Sequence, residues 1–285
     1  MYHGLTHETI YAAIRIVAVF DGPHDDVKEI TGTGFVLMVE GKTVLVTNRH
    51  IADLNFSRTD RKYIDFVLRH LICEVRARDA TGGSPGASRS FEVPVTHNQV
   101  LYDSNPLNDV AIIFDVQSSN LDGSLDRRWE YCFEFSDLAT EEELRTELQP
   151  FDVLAFPGFP DGFDKRGLRA IIRGGRVACD PRFEYSFEAQ EKGDILLFEG
   201  FSFGGSSGSP VIAVPKVPPM NVDNHPGNRF RRLMVVGVNA GHISASLGQH
   251  AGLSYFVRSS VIRRMVEQCV ANCSTRPAQL TVLTR

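Results

Sequence analysis

The chain has 285 residues, of which 42% are hydrophobic, and that is enough to bury a sizeable core in one or two domains. Its formal net charge is −5 and its isoelectric point is near 6.0, so its charge gives no case for binding nucleic acid or an anionic membrane. No segment approaches the ~18–20 consecutive apolar residues of a membrane span, and no secretory signal pattern opens the chain.

Short strand patterns separated by turn residues recur along the chain, as they do in all-β barrels and sandwiches. Residues 73–78 alternate between apolar and charged side chains most clearly, which is typical of a half-exposed strand. The other predicted strands are residues 14–20, 35–39, 44–47, 91–95, 110–114, 153–156, 170–177, 195–198, 211–214, 233–238 and 254–257.

Helices are few. Thr140 and Glu143 fit a capping box, which predicts a short helix over residues 141–148. Near the C-terminus, apolar residues recur at helical spacing over residues 261–270, with Ser259 or Ser260 as the N-cap. This apolar stripe predicts a helix packed on a barrel.

We interpret residues 215–232 as surface loop, on the basis of two features. Residues 215–228 contain four prolines, which predicts an insertion between two strands. The basic run Arg229-Phe230-Arg231-Arg232 is short, and we interpret it as solvated rather than as a nucleic-acid-binding patch.

The five cysteines are odd in number and scattered, which argues against a disulfide framework and for reduced thiols in a cytoplasmic protein. Cys269 and Cys273 are four residues apart, but no further ligands lie at a matching spacing, so we expect no metal site.

The most informative segment is Gly205-Ser206-Ser207-Gly208-Ser209-Pro210, which continues into an apolar strand. Its glycines permit unusual backbone angles and let a substrate carbonyl approach the N–H groups of Gly205 and Ser207. Ser207 is therefore the candidate nucleophile, and those two N–H groups form the candidate oxyanion hole.

A second frame of the same segment fits Gly-x-Ser-x-Gly, with Ser206 as the nucleophile. That motif requires a helix after the serine and the other two triad residues later in the chain. Here a proline and a strand follow, and the best histidine and aspartate precede the serine, so this frame is disfavoured.

A nucleophilic serine needs a base, and the base needs a group that orients it. His50 follows one predicted strand and Asp109 begins another. The neutral imidazole of His50 can accept the Ser207 proton, and the Asp109 carboxylate can orient the imidazole. Asp53 is the nearest rival carboxylate, and we expect it to point away.

These segments, in the chain order His, Asp, Ser, resemble those of the chymotrypsin-like (trypsin-fold) serine proteases. The resemblance is closest to HtrA-type and related trypsin-like peptidase domains and covers about residues 14–270. Three further segments carry it: Phe156-Pro157-Gly158-Phe159-Pro160, Val235-Val236-Gly237-Val238-Asn239-Ala240-Gly241, and Leu253-Ser254-Tyr255-Phe256-Val257 followed by a helix.

The resemblance implies an all-β fold of two six-stranded antiparallel β-barrels with a C-terminal helix. An N-terminal barrel over residues 1–136 would contain His50 and Asp109, and residues 137–150 would link the two barrels. A second barrel over residues 151–258 would contain Ser207, and residues 259–285 would form the helix and tail. The active site would lie between the barrels and need neither cofactor nor metal.

The resemblance also implies how a protein or peptide substrate binds. The substrate would lie as an extended strand against Asn239, Ala240 and Gly241, and Phe201 would form a wall of the S1 pocket. Because Phe201 is not acidic, we expect an apolar P1 residue rather than arginine or lysine.

The leading interpretation is thus a serine endopeptidase that forms an acyl-enzyme on Ser207. Two departures from the family pattern keep alternatives open: Arg49 is bulky beside the base, and Ser206 replaces the aspartate that captures a new N-terminal amine. The chain is also too short to hold the PDZ domain of HtrA proteins. The alternatives are an inactive protease-like peptide-binding module and a protease effector that a regulatory protein partner activates.

Overall fold

The computed structural model describes residues 2–60, 62–79, 81, 85–121, 129–186, 193–217, 230–244 and 250–274. The described chain is mostly β-strand and forms two β-units, and a C-terminal helix packs against both of them. Its four α-helices are α1 His7–Tyr11, α2 Arg49–Ala52, α3 Glu141–Thr146 and α4 Ser259–Ser274. None of these helices has both the length and the apolar character that crossing a bilayer demands.

The first unit is a nine-stranded sheet among the described residues. Its strands follow the order β6-β7-β3-β2-β1-β4-β5-β8, and β9 pairs in parallel with β2. The bounds are β1 Ala13–Asp21, β2 Val27–Val39, β3 Lys42–Thr47, β4 Val67–Arg78, β5 Pro85–Pro94, β6 Val100–Tyr102, β7 Ala111–Phe114, β8 Ser119–Asn120 and β9 Phe133–Glu134. The sheet curves as a half barrel around its own apolar cluster, which includes Ile16, Leu71 and Phe91.

This sheet differs from the predicted six-stranded barrel in strand number and in closure. Pairing among the described residues leaves β6 and β8 at its two edges. The extra strands β6, β8 and β9 have only two or three residues each. Periodicity over so few residues cannot be read from sequence, so the extra strands escape prediction.

The second unit confirms the prediction of a closed six-stranded antiparallel barrel. Its strands close in the order β10-β11-β12-β15-β14-β13, and β13 pairs back onto β10 at Leu154↔Ala213. The bounds are β10 Val153–Gly158, β11 Ile171–Val177, β12 Ile195–Glu199, β13 Pro210–Ala213, β14 Met234–Ser244 and β15 His250–Arg258. Three buried phenylalanine rings with centroids 5.2 and 6.1 Å apart fill its interior, namely Phe156, Phe198 and Phe256.

One continuous apolar cluster joins the two units and α4. It contains Phe35 and Ile112 from the first sheet and Val235 and Val257 from the second barrel. The predicted apolar stripe of α4 is confirmed, because Val261, Ile262, Met265 and Val266 are all buried in this cluster. The two units therefore share a core, which fixes their relative position at the groove between them.

The predicted capping box at the start of α3 is confirmed, although α3 ends at Thr146 rather than at residue 148, and the predicted cap of α4 differs. Thr140 and Glu143 form the reciprocal hydrogen bonds of a capping box at 3.1 and 2.8 Å. At α4, the Ser259 hydroxyl instead donates to the carbonyl of Ala139 at 2.8 Å. Ser259 thereby attaches α4 to the segment that links the two β-units.

The solvated interpretation of the basic run is wrong for Arg231, which is only 1% exposed. Its guanidinium donates to the Asp152 carboxylate and, at 2.7 Å, to the carbonyl of Val214. Lys216 and Tyr2 also donate to Asp152, at 3.1 and 2.9 Å. Most of the predicted insertion, residues 218–229, lies outside the described residues.

Candidate active site

His50 and Asp109 are in direct contact. β3 ends at Thr47 and α2 begins at Arg49, so His50 projects from the first turn of a short helix. Its ring Nδ1 lies 2.6 Å from Oδ2 of Asp109, and its backbone N–H donates to Oδ1 at 2.9 Å. The carboxylate thus favours the tautomer with hydrogen on Nδ1, which leaves Nε2 as the proton acceptor.

The Asp109 backbone is fixed from the side of β3. Asn48 is fully buried, and its side-chain amide donates to the carbonyl of Asp109 at 2.6 Å. The charge of Asp109 also acts on its surroundings. Burial, and after it the negative charge of Asp109, raises the pKa of Tyr255 to about 12, so this phenol stays neutral.

The bulky Arg49 does not crowd the histidine. Its guanidinium lies over the rings of Tyr102 and Phe56, 4.6 and 5.1 Å from their centroids, and its Nε lies 3.2 Å from Asp53. Asp53 therefore pairs with Arg49 and not with His50. This arrangement accounts for the unusual residue before the base and leaves Asp109 as the carboxylate on the imidazole.

The loop around Ser207 depends on two glycines with positive φ. Gly205 has φ 85° and Gly208 has φ 87°. A Cβ atom at Gly205 would lie 2.3 Å from the carbonyl oxygen of Phe159, and one at Gly208 would lie 1.8 Å from that of Thr33. Both positions therefore require glycine, because φ is positive and because a neighbouring carbonyl oxygen occupies the space of a Cβ atom.

Thr33 on β2 attaches this loop to the first sheet. Its N–H donates to the carbonyl of Ser207 at 2.8 Å, and its hydroxyl donates to the carbonyl of Gly205 at 2.7 Å. The same hydroxyl accepts the N–H of Phe159 at 3.0 Å, and the Thr33 carbonyl accepts the Thr47 hydroxyl at 2.7 Å. Sequence reasoning missed this role.

Asn239 on β14 fixes the loop from the other side. Its side-chain amide donates to the hydroxyl of Ser202 at 2.8 Å and to the carbonyl of Ser206 at 2.9 Å. Its backbone N–H donates to Ser209, and its carbonyl accepts the N–H of Gly208, both at 2.9 Å. Asn239 was predicted to contact substrate, but these four bonds give it a supporting role in the loop.

Gly32 on β2 lies between Ile51, the residue after the base, and the backbone of Ser207. A Cβ atom at Gly32 would lie 2.7 Å from Ile51, which follows the base, and 3.4 Å from the carbonyl of Ser207. Within the described part of the chain, no hydrogen bond joins Ser207 Oγ to His50. In that same part, the N–H groups of Gly205 and Ser207 donate to no acceptor and are free to bind a ligand.

The remaining predicted substrate residues differ in exposure. Phe201 is 53% exposed. Ala240 is buried in the cluster between the units, whereas Gly241 is partly exposed and lies opposite Tyr255 in β15. Of the predicted substrate strand, Gly241 is thus more accessible than Ala240.

An aromatic ladder of Phe203, Phe201, His250 and His242 lies next to the loop. The centroids of Phe201 and His250 are 4.7 Å apart, and those of His250 and His242 are 4.5 Å apart. Partial burial, and then the charge of His242, lowers the pKa of His250. Sequence reasoning missed His250, because its place in the ladder depends on the pairing of β14 with β15.

Comparison with known proteins identifies the fold. No protein-family model matches the sequence, and no curated protein matches it. Among solved structures, the HtrA-type protease AlgW with a tripeptide is 13% identical over 92% of this chain, with a TM-score of 0.52. Two structures of AlgW with a decapeptide are 14% and 12% identical over 92% and 93% of the chain, with TM-scores of 0.51 and 0.52.

This chain spans 60%, 65% and 64% of the length of those three structures. The match covers nearly all of this chain, and the strand topology agrees with it: a half-barrel sheet, a closed six-stranded barrel and a C-terminal helix. The chain therefore has the chymotrypsin-like double-barrel fold that these HtrA-type protease structures share.

Proposed function

We propose that this protein is a serine endopeptidase in which His50, Asp109 and Ser207 form the catalytic triad. The observation that carries the proposal is the 2.6 Å contact between His50 Nδ1 and the buried carboxylate of Asp109. This contact leaves Nε2 as a base in the groove where Thr33 attaches the Ser207 loop. A histidine on the surface for structural reasons alone would not need a buried carboxylate bonded to both its ring and its backbone.

The reaction follows from these positions. As Ser207 Oγ attacks the scissile carbonyl carbon, its proton passes to Nε2 of His50, and Asp109 stabilises the imidazolium. The negative oxygen accepts the N–H groups of Gly205 and Ser207. His50 then returns the proton to the leaving amine as the C–N bond breaks. A water molecule, deprotonated by His50, attacks the acyl ester and regenerates the Ser207 hydroxyl.

A peptide substrate suits the open side of the site. The partly exposed backbone of Gly241 offers an edge for an extended strand, and Phe201 offers an apolar wall beside it. We propose an apolar P1 residue on this basis. The AlgW structures with bound peptides agree with a peptide ligand for this fold.

A fluorophosphonate probe tests the proposal, since it forms a covalent bond with an activated serine. We expect wild-type protein to be labelled at Ser207, as mapped by peptide mass spectrometry, and Ser207→Ala to be unlabelled. Losing the nucleophile of a triad lowers kcat by about 10⁶-fold. Ser206→Ala is the matched control, because Ser206 Oγ is buried and has no hydrogen-bond partner among the described residues. Labelling that moves to Ser206 would contradict the proposal.

A second candidate is a catalytically inactive, protease-like peptide-binding module. The observation that favours it is that no hydrogen bond joins Ser207 Oγ to His50 in the described residues. It predicts that folded wild-type protein binds an extended peptide, measured by fluorescence anisotropy, and resists the probe. Rapid labelling of the isolated protein would exclude it.

A further inference from the structure

Asn108, the residue before Asp109, connects the two β-units with its side chain. It is fully buried, and its amide donates to Asp103 at 2.8 Å and to the Asp194 carboxylate at 3.0 Å. Its side-chain oxygen accepts the N–H of Asp194 at 2.7 Å. Asp103 follows β6 of the first sheet and Asp194 precedes β12 of the barrel, so Asn108 joins both units next to Asp109.

Arg264 on α4 supplies the positive charge at this junction. Its Nη2 lies 2.9 Å from Oδ2 of Asp103 and 3.5 Å from Oδ2 of Asp194. Burial raises the pKa of Asp103, but hydrogen bonds from Arg264 and Asn108 outweigh it and lower that pKa below its usual 3.8. Arg264 is the cation that pairs with both carboxylates among the described residues, and its loss would leave them facing the Asn108 amide without that charge.

Arg264 is not needed to attach α4 to the protein. The apolar side chains of α4 are buried in the cluster that joins both units. Arg263, its neighbour, donates separately to the carbonyls of Phe135 and Leu138 at 3.2 and 3.0 Å. The two arginines therefore attach the same helix to different places, and Arg264 is the one bonded to the segment that contains Asp109.

We propose that Arg264 is a positioning residue for the His50–Asp109 pair, acting through Asp103 and Asn108. The proposal rests on the proposed role of Asp109 in catalysis. Asn48 fixes the carbonyl of Asp109 from the β3 side, and the Asn108 junction fixes the preceding residue from the α4 side. Loss of the arginine loosens one of these two supports, so the carboxylate shifts relative to the imidazole.

Arg264→Ala and Arg263→Ala form a matched pair for the test. A small misplacement of catalytic groups costs up to ~100-fold in rate. We expect Arg264→Ala to slow fluorophosphonate labelling and to lower kcat on a peptide by about tenfold or more, with KM nearly unchanged. Arg263→Ala should stay within about twofold of wild type, and Arg264→Lys should recover part of the loss because it restores the charge. Equal effects of the two alanine variants, both still folded, would overturn the proposal.

A second readout separates this proposal from the proposed function. The Nδ1 proton of His50, hydrogen-bonded to Asp109, gives a far-downfield proton NMR signal that does not depend on activity. We expect this signal in wild type and Arg263→Ala, and its broadening or loss in Arg264→Ala. If wild type is never labelled, the proposed function fails, and this signal still decides the role of Arg264. An unchanged signal in Arg264→Ala would refute that role.

Discussion

His50 and Asp109 are joined at two points: one carboxylate oxygen bonds the imidazole Nδ1 and the other accepts the backbone N–H of the same residue. The carboxylate therefore fixes the rotation of the ring and the first turn of α2 together. With Asp109 buried and the His50 side chain 33% exposed, the pair presents a single nitrogen, Nε2, to the groove.

Asp109→Asn tests the importance of this double contact. The amide retains the shape of the carboxylate, but its NH₂ group would face Nδ1 and favour the wrong tautomer of His50. We expect kcat on a peptide substrate to fall by about 10⁴-fold, with the melting temperature little changed. Asp53→Asn is the control, because Asp53 pairs with Arg49, and it should retain wild-type kcat. A similar kcat for the two variants would argue against Asp109.

Gly205→Ala tests the candidate oxyanion hole. A methyl group there would overlap the carbonyl of Phe159, and the positive φ disfavours any residue with a Cβ. The N–H of Gly205 must shift, and losing one oxyanion donor lowers kcat by about 10²–10³-fold. Gly204→Ala is the control, because the nearest atom to a Cβ at position 204 would be a carboxylate oxygen of Asp161, 3.8 Å away. Steady-state kinetics of both variants decide the matter, and equal kcat values would contradict the assignment.

Thr33→Val tests the attachment of the nucleophile loop to the first sheet. Valine preserves the shape of threonine but leaves the carbonyl of Gly205 and the N–H of Phe159 without their partner. Each buried group left unpaired costs about 1–3 kcal/mol. We expect the free energy of unfolding in urea to fall by about that amount or more. Thr31→Val is the control, because Thr31 is exposed on the same strand, and it should change the free energy of unfolding little.

His242→Phe tests the electrostatic coupling within the aromatic ladder. Partial burial and then the charge of His242 lower the pKa of His250 below 6.5, so phenylalanine, which stacks without charge, should raise that pKa towards its usual value. NMR titration of His250 measures the change, and His97→Phe, in the turn between β5 and β6, is the control. The same pKa of His250 in wild type and in His242→Phe would refute the coupling.

The lowered pKa of His250 also determines how the stability of the folded protein depends on pH. Since the folded-state pKa of His250 lies below the unfolded value of 6.5, the unfolded chain binds more protons between the two values. The contribution of His250 to stability is complete above pH 6.5 and is lost as the pH falls through the folded-state pKa. We expect the loss to be smaller in His242→Phe, as urea unfolding at several pH values would show.

Local sequence patterns predicted the strands and helix α4 well, since every predicted strand overlaps an observed one. Residues at strand ends were also accessible to prediction, because a polar side chain after an apolar run marks the edge of a sheet. The contact of His50 with Asp109 agrees with that placement. The proposed nucleophilic role of Ser207 stays a prediction.

Roles that depend on distant contacts could not be predicted. Thr33 bonds to residues more than 120 positions away, and no local pattern marks its hydroxyl as a link between the units. Arg231 was interpreted as solvated because it lies in a short basic run, whereas its partner Asp152 lies 79 positions earlier in the chain. A charge run in sequence shows the sign of each charge but not which one is buried.

The pairing of Lys216 with Arg231 has a practical consequence for protein engineering. Their backbones exchange two hydrogen bonds, at 2.8 and 3.0 Å, so the segment after β13 and the segment before β14 are held together. Each doubling of a loop's length costs only about 0.6 kcal/mol in closure entropy. We therefore expect that a foreign peptide or reporter tag inserted in the sequence between Lys216 and Arg231 leaves β13 and β14 in register, because the described residues at both ends are held together.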